Sequence, residues 1–275
     1  MKMDQSEIKR RIAAGRAFMH MDAEDDPDYT TDQYAGVKQP PLFKDPVSDV
    51  IITLPKDFEN LNINNDFLQV INTRVSSRIY REEEMSLLEL SFILWCAQGV
   101  KGIRGKSYAT LRTVPCGGAR HEFELYLCVQ HVQGLSAGHY HYLPQNHSLE
   151  LLNKAEDVKL FISESLNEQA WAAKAGVVFY FDMVAYRAEW RYGIYAHRIA
   201  LVDAGYISEN IYLACTALGL GSCAIGSIEE AISNRVFGLD GNEEFIFMAH
   251  PVGKIAAEDH QKELDFYAFV KENNL

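Results

Sequence analysis

The chain has no apolar run long enough to cross a bilayer. Residues 87–97 and 176–186 are its most apolar stretches, and both fall short of the roughly 20 residues that a membrane helix requires. Its first 16 residues are charged and have no apolar centre, unlike a secretory signal. Positive charge is also scarce, because 26 Lys and Arg face 38 Asp and Glu. We therefore expect a protein without a membrane anchor and without broad binding to nucleic acid, although a small basic pocket remains compatible.

Cysteine pairs are missing as well. The five cysteines are odd in number and include no Cys-x-x-Cys pair, which argues against a disulfide framework and a structural zinc site. Reduced thiols in the cytoplasm are the expectation. Internal repeats and low-complexity segments are likewise absent, and 48% of the 275 residues are hydrophobic. This length and composition can support one domain with a sizeable core.

The first 50 residues differ from the rest. A helical pattern at residues 6–18 precedes an acidic stretch at 22–28 and three prolines between 40 and 46. Little periodic apolar pattern follows the helix. We predict an N-terminal arm or extension over residues 1–50, which wraps the core or a partner subunit or is poorly ordered. Residues 51–275 are predicted to form the folded domain.

Helix and strand patterns alternate through that domain. Ser86 and Glu89 form a capping-box pattern before the apolar face of a helix. Other helices are predicted at residues 66–73, 156–175, 206–218, 229–237 and 259–271, and strands at 124–129, 138–143, 148–152, 177–181 and 245–249. The basic stretch 101–112 is predicted to be a loop. This mixture indicates an α+β domain with a sheet between helices.

A glycine-rich loop, residues 115–121, precedes one of these strands. Its sequence is Pro-Cys-Gly-Gly-Ala-Arg-His. Gly117 and Gly118 permit positive φ and close approach of a ligand, and Pro115 fixes the start of the turn. The loop could hold a planar ligand through main-chain N–H groups, whereas the glycine pair alone favours an ordinary loop.

Three alternating residues suggest an anion site. Arg74, Ser76 and Arg78 would share one face of an extended segment. Two guanidinium forks and a hydroxyl suit a phosphate, although the spacing alone favours a solvated basic turn. Residues 218–226 are rich in small side chains, but a helix precedes them, so they are no dinucleotide fingerprint. They could pack against a flat ring or simply lead from a helix into a strand.

The segment 190–198 contains two groups able to move protons, Tyr192 and His197. Arg191 and Arg198 could hold an anion beside them. The alternative is an amphipathic segment with exposed arginines, which the spacing favours somewhat.

Other reactive side chains have weaker support. Cys116 could be a nucleophile if positive charge on Arg120 and His121 favoured its thiolate, but no base accompanies it. Asp203 and Glu209 are expected to be structural or surface carboxylates.

In their order, four segments resemble the nitroreductase superfamily of flavin enzymes, and most closely its SagB/ThcOx-type dehydrogenases. Residues 74–78 resemble the family's Arg-Arg-Ser-x-Arg, and residues 86–99 its first core helix. Residues 115–124 resemble its Pro-Ser-Gly-Gly-Ala-Arg-His segment, and residues 203–226 its long helix and flavin-side loop. The resemblance covers residues 71–254. It implies an α+β fold with a central, mostly antiparallel sheet flanked by helices, in a homodimer that holds FMN between subunits.

The resemblance also implies a set of FMN contacts. The phosphate and ribityl chain would meet Arg74, Ser76, Arg78 and Lys254. One side of the isoalloxazine would meet Pro115, Cys116, Gly117, Gly118 and Ala119, contributed by the other subunit, and the opposite side would meet Ala224, Ile225 and Gly226. We expect Cys116 to act through its backbone N–H, and we expect no metal ligand.

The implied activity is that of an FMN-dependent oxidoreductase, with NADH or NADPH as electron donor and a small organic substrate. Tyr192 would donate a proton and Arg191 would orient the substrate. Val75 and Cys116 replace residues usual in the family's motifs. Azoline-oxidising members carry Lys-Tyr where this chain has Arg191-Tyr192, and an arginine cannot act as that base. The alternatives are a tailoring oxidase of a modified peptide, a non-catalytic flavin-binding protein, and an interaction protein that uses the acidic arm.

Overall fold

The computed structural model describes residues 4–20, 29–155 and 157–272. The strands there are β1 (Ile51–Thr53), β2 (Val100–Arg104), β3 (Ala109–Arg112), β4 (Phe123–Val129), β5 (Gly138–Leu143), β6 (Ser148–Lys154), β7 (Val177–Val184), β8 (Leu220–Ser222) and β9 (Glu244–Lys254). The α-helices are α1 (Gln5–Phe18), α2 (Phe67–Thr73), α3 (Leu87–Gln98), α4 (Val158–Ser165), α5 (Ala185–Tyr192), α6 (Ala196–Ala217), α7 (Glu230–Phe237) and α8 (Ala257–Glu272). Of these helices, none is both long and apolar enough to cross a membrane.

Seven strands form one sheet in the order β1-β6-β5-β4-β7-β9-β8. Every neighbouring pair in it is antiparallel. Strands β4 and β7 lie in the middle, and β4 is buried along its whole length, so both of its faces are covered. The predicted α+β fold with a central, mostly antiparallel sheet is confirmed.

Each face of the sheet carries its own apolar core. Leu125 and Leu127 of β4 pack into the core that includes residues of α3 and α6. Tyr126 and Cys128, which alternate with them, pack into a second core with residues of α4 and α7. Because side chains alternate along a strand, a strand between two helix layers is apolar at every position. This arrangement explains the apolar run at residues 177–181 of β7, which ends at the buried Asp182.

Local signals located most of the helices. Ser86 and Glu89 form the predicted capping box at the start of α3. The helix predicted over residues 156–175 is wrong, because α4 ends at Ser165 and a 3-10 turn follows at Ala172–Lys174. Asn167 and Glu168 between them have positive φ, which an α-helix does not accommodate.

Two further predictions are corrected. Helix α6 begins ten residues before the predicted residue 206, since Ala196 already lies within it. The predicted loop at residues 101–112 contains the antiparallel hairpin of β2 and β3. Gly105 and Ser107 have positive φ in the turn of this hairpin. The hairpin lies outside the main sheet, so its basic side chains Lys101, Arg104 and Lys106 can remain exposed.

The arm packs on the domain over residues 29–48. The main-chain N–H of Gln33 donates to the carbonyl of Trp190, and the Trp190 indole donates to Val37. Val47 and Ser48 donate their N–H groups to Glu150. These contacts agree with an arm that wraps the core. The acidic stretch at residues 22–28 lies within the part of the chain that the structure does not describe, and a boundary at residue 50 stays a prediction.

Candidate functional site

The side chains of Arg74, Ser76 and Arg78 lie on the outward face of the segment that follows α2. Ser77 between them is buried, and its N–H donates to the carbonyl of Ser222 at 2.9 Å. This bond fixes the segment against β8. The predicted alternation is therefore present, since Val75 and Ser77 are buried while Arg74, Ser76 and Arg78 are not. The Arg78 guanidinium lies 5.9 Å from the centre of the Trp171 ring.

Tyr212 on α6 links this segment to the small-residue stretch. Its hydroxyl lies 3.1 Å from Ser76 Oγ and accepts the N–H of Ala224 at 2.7 Å. The Arg74 guanidinium lies 5.2 Å from the centre of the tyrosine ring. Sequence reasoning missed Tyr212, because its contact with Ser76 joins residues 136 positions apart and no local pattern indicates it.

The stretch from Leu220 to Gly226 continues the sheet. Leu220–Ser222 pairs with β9, and Ile225 forms an isolated bridge with Ala249. Ile225 is buried, whereas Ala224 is half-buried and Gly226 is exposed. The alternative interpretation, a helix end followed directly by a strand, is thus correct. It leaves the backbone around Ala224 beside the two arginines.

Lys254 differs from these arginines because its charge is already paired. Its Nζ lies 2.7 Å from Glu89 Oε1. Within the described part of the chain, Arg74 and Arg78 have no ion-pair partner, and the one hydrogen bond of Arg78 reaches the carbonyl of Ser76 at 3.4 Å. The stronger candidates for an anion are therefore the two arginines.

The Gly117-Gly118 loop makes one 3-10 turn against α5 and α6. The N–H of Gly117 donates to both carboxylate oxygens of Asp203, at 3.1 and 2.9 Å. A Cβ at Gly117 would lie 2.4 Å from Ile199, and one at Gly118, where φ is +54°, would lie 2.3 Å from Arg191 Nε. Close packing of the chain's own helices therefore requires both glycines. Asp203 is structural, as predicted.

The thiol of Cys116 is buried among acidic groups. Its Sγ lies 3.3 Å from Glu122 Oε2 and 3.2 Å from Asp203 Oδ2, and it accepts the N–H of His121. Burial and the two carboxylates raise the pKa of the thiol. Burial, followed by the charge of Arg112, lowers the pKa of His121 to about 2. These surroundings disfavour the hypothesised thiolate, because two carboxyl groups adjoin the sulfur and His121 supplies no positive charge.

Glu122 and Asp203 form a buried acidic pair with Cys116. The thiol sulfur and one carboxylate oxygen of each acid lie within 4.8 Å of one another. Among the described residues, Glu122 Oε1 has no hydrogen-bond partner. Burial and the charge of Asp203 raise the pKa of Glu122 to about 7. Since Gly117 and Cys116 already donate hydrogen bonds to Asp203, a bound proton accounts for the pair more simply than a cation does.

Arg191 and Tyr192 lie at the end of α5. Arg191 Nη1 donates to Gln33 Oε1 at 3.1 Å and to the Tyr108 hydroxyl at 2.7 Å. These side chains come from the arm and from the β2–β3 turn, and no local pattern pointed to either. A cavity of about 430 Å³ here is lined by Gln33, Tyr34, Arg191 and Tyr192. His197, the other predicted proton carrier, instead contacts Glu189 at 2.8 Å.

The predicted site residues thus form two groups along α6. Asp203 contacts the glycine loop, and Tyr212 contacts Ser76 and Ala224. Nine residues of α-helix separate Asp203 from Tyr212, which is about 14 Å along the axis. The structure brings the members of each group together, and α6 separates the two groups within one chain.

The sequence profile described as the nitroreductase family matches residues 71–254, about two thirds of the chain. The chain belongs to the nitroreductase family. A protein of Methanocaldococcus jannaschii, whose nitroreductase name is provisional, is 30% identical over 203 residues, 74% of this chain and 96% of its own. The trifolitoxin-processing protein TfxB of Rhizobium leguminosarum bv. trifolii is 32% identical over 133 residues, 47% of this chain and 36% of its own.

Solved structures agree with the fold. A provisionally named nitroreductase of Ralstonia eutropha has a TM-score of 0.62 at 24% identity, covering 80% of this chain and 96% of its own. The McbBCD microcin synthetase complex of E. coli, with truncated pro-MccB17 bound, contains a chain with a TM-score of 0.57 at 17% identity, covering 92% and 95%. A protein of Exiguobacterium sibiricum in complex with FMN has a TM-score of 0.51 at 12% identity, covering 72% and 91%. At these identities the likeness concerns the fold.

Proposed function

We propose that this nitroreductase-family protein is a cytoplasmic, FMN-dependent oxidoreductase that takes electrons from NADH or NADPH and passes them to a small organic substrate. The observation that carries the proposal is that Arg74 and Arg78, which flank Ser76, form no ion pair with any described residue. In a chain of net charge −12, such a pair suits a phosphate. The FMN found in the Exiguobacterium protein supports the choice of ligand.

The phosphate end of the flavin would be held by these three side chains. Tyr212 would keep the Ser76 hydroxyl in place through their 3.1 Å contact. Lys254 would contribute less than the resemblance implies, because Glu89 already neutralises it. It would instead anchor the start of α3 to the end of β9.

The ring would lie between two subunits. One face of the ring would meet the glycine loop of one subunit, Pro115, Cys116, Gly117, Gly118 and Ala119. The other face would meet Ala224, Ile225 and Gly226 of the second subunit. Dimer formation would thus bring together two groups that α6 separates within one chain. Exposed apolar side chains on α2 and α6 support such an interface, since Phe67, Leu68, Val202 and Tyr206 all face solvent in the single chain. A homodimer would cover them.

When bound, FMN would supply the redox chemistry at its ring. The residues of this chain would bind it and exclude water from one face. Arg191 would orient the substrate, and the Tyr192 hydroxyl would hold a proton for transfer to it. Tyr192 lies close enough to the glycine loop that a Cβ on Gly118 would come within 2.7 Å of its hydroxyl.

Replacing the phosphate anchors tests this proposal. Arg74→Ala with Arg78→Ala should lower FMN affinity at least about 10-fold, since a charge-assisted bond contributes roughly 1.5–3 kcal/mol. The matched control is Arg235→Ala on α7, which removes an exposed arginine elsewhere. Equal FMN affinity in the double variant and the control would contradict the phosphate assignment.

A second candidate is tailoring of a modified peptide. The similarity to TfxB and to a chain of the microcin synthetase complex favours it, whereas arginine at position 191 argues against azoline oxidation by a basic residue. Oxidation of an azoline-containing peptide, monitored by the loss of two mass units, would establish this activity. Bound FMN that neither nicotinamide reduces would indicate the third alternative, a non-catalytic flavin-binding protein.

A further inference from the structure

We infer that the cavity between the arm and α5 binds the carboxylate of an anionic substrate, with Arg191 as its cationic contact and Gln33 and Tyr108 as positioning residues. This inference rests on the proposed function, because the bound flavin would supply the electrons that such a substrate receives. It adds a substrate class, and it assigns a role to the arm that the flavin site leaves unexplained.

The first support is the shape of the site. The cavity of about 430 Å³ combines Gln33 and Tyr34 of the arm with Arg191 and Tyr192 of α5. Small-molecule sites commonly have volumes of roughly 300–1,000 Å³. Tyr34 is the most exposed large side chain there, so the cavity opens to solvent on the arm side.

The second support is an excess of positive charge. Arg191 Nη1 bonds the Tyr108 hydroxyl, and the guanidinium of Arg120 lies 4.9 Å from the centre of the same tyrosine ring. Arg120 is buried and donates only to the carbonyls of Gly118 and Tyr108. Over the described residues, no carboxylate forms an ion pair with either arginine. An anionic ligand would offset this local charge.

Other arginines of the same chain do form ion pairs with carboxylates. Arg187 lies 2.5 Å from Glu124, and Arg81 contacts both Glu258 and Asp259. Arg191, which lines the cavity, and Arg120, which is buried behind Tyr108, have neutral partners among the described residues. Within the described part of the chain, Arg191 therefore presents a positive charge without an ion-pair partner to an open cavity, which suits recognition of an anion.

The third support is preorganisation. Gln33 is fixed by the bond from its N–H to Trp190 and donates its side-chain amide to Tyr108 at 3.1 Å. Gln33 and Tyr108 hold the Arg191 guanidinium without neutralising it. A cation already held in place loses less conformational entropy when it binds a ligand. This arrangement distinguishes Arg191 from a mobile surface arginine.

Direct binding tests the inference without requiring turnover. Calorimetric titration of the purified protein with benzoate should show saturable binding, and benzamide, its neutral counterpart, should bind at least about 10-fold more weakly. Arg191→Gln should reduce benzoate affinity about 10- to 100-fold, with benzamide nearly unchanged. Arg191→Lys keeps the positive charge but loses the two-pronged guanidinium geometry, so its affinity for benzoate should lie between those of the unmodified chain and Arg191→Gln. Arg235→Gln is the matched control and should bind benzoate as the unmodified chain does.

Turnover separates the roles of the neighbours. With para-nitrobenzoate and its methyl ester as acceptors, Gln33→Ala and Tyr108→Phe should raise KM for the acid several-fold at unchanged kcat, and leave the ester unaffected. A merely structural role would change both substrates together. Circular dichroism and FMN content confirm that each variant is folded.

Three results would overturn the inference. The first is equal affinity for benzoate and benzamide, and the second is an equal loss of affinity for both ligands in Arg191→Gln. The third is that Arg191→Gln slows only the reduction of the flavin by NADH or NADPH. The last would assign Arg191 to the phosphates of the nicotinamide. Failure to bind FMN or to reduce the ester would instead contradict the proposed function, while the benzoate titration would still decide the carboxylate site.

Discussion

Glu122 and Glu124 stand two residues apart at the start of β4, and both are almost fully buried. Glu124 contacts Arg187 at 2.5 Å and His141 at 3.4 Å. Burial alone would raise its pKa, but Arg187 and His141 hold that pKa well below its usual range. Glu122 faces Asp203, and its pKa is raised to about 7. The partner, rather than the depth of burial, therefore decides whether a carboxyl here keeps its charge.

The difference separates two kinds of polar interior. Glu124, Arg187, His141 and Glu150 form a network whose opposite charges compensate one another. No described cationic side chain forms an ion pair with Glu122 or Asp203, and this pair lies directly behind the glycine loop, where Gly117 donates to Asp203. We therefore expect the first network to stabilise the sheet at neutral pH, and the second to make the candidate flavin loop sensitive to pH.

The largest effect should follow from breaking the compensated network. Arg187→Met leaves Glu124 buried without its main cation, and the free energy of unfolding should fall by about 3–5 kcal/mol. Urea denaturation at pH 7 measures it. The double variant Arg187→Met/Glu124→Gln should recover part of the loss, because it removes the carboxylate that the single variant leaves without Arg187. A loss below about 1 kcal/mol in the single variant would show that Glu124 is compensated by other groups.

Glu122→Gln should give the next largest effect, and its sign depends on pH. The folded-state pKa of about 7 exceeds the ordinary 4.5, so the unfolded chain releases this proton first as pH rises. The unmodified chain therefore loses stability between about pH 4.5 and 7, whereas the variant lacks that loss. Relative to pH 4, the variant should gain up to about 3 kcal/mol on the unmodified chain at pH 8.

Unfolding curves at both pH values test this prediction. Glu209→Gln removes an exposed carboxylate from α6 and is the matched control. A gain of the same size in the control would assign the effect to net charge rather than to burial at position 122.

Asp203→Asn should reduce the same pH dependence to a smaller extent. It removes the charge that, after burial, contributes most to the raised pKa of Glu122, and it keeps an oxygen able to accept the N–H of Gly117. The midpoint of the pH-dependent stability change should move downwards from about 7. An unchanged midpoint would mean that burial alone raises the pKa.

Cys116→Ser should have the smallest effect, with stability changed by less than about 1 kcal/mol and FMN occupancy almost unchanged. Burial and the two carboxylates keep the thiol protonated, so alkylation of Cys116 at pH 8 should be much slower than that of a free thiol. Mass spectrometry of the alkylated peptides measures the rate. Rapid alkylation, or a large loss of activity in the serine variant, would make the thiol a participant in the chemistry.

Sequence alone predicted the features that depend on neighbours along the chain. The Ser86–Glu89 capping box and the alternation of residues 74–78 are of this kind. The contact of Gln33 with Tyr108 joins residues 75 positions apart, and the contact of Tyr212 with Ser76 crosses the fold. Packing between distant segments sets these positions, so no local pattern encodes them. For the same reason the acidic surroundings of Cys116 were missed, since Asp203 comes from another element.

The flavin content of the purified protein tests the proposed FMN site most directly. We predict a yellow homodimer that releases about one FMN per chain on denaturation and that NADH or NADPH bleaches under anaerobic conditions. Size-exclusion chromatography with light scattering gives the mass of the same sample. A colourless protein that fails to take up added FMN would contradict the proposed flavin binding.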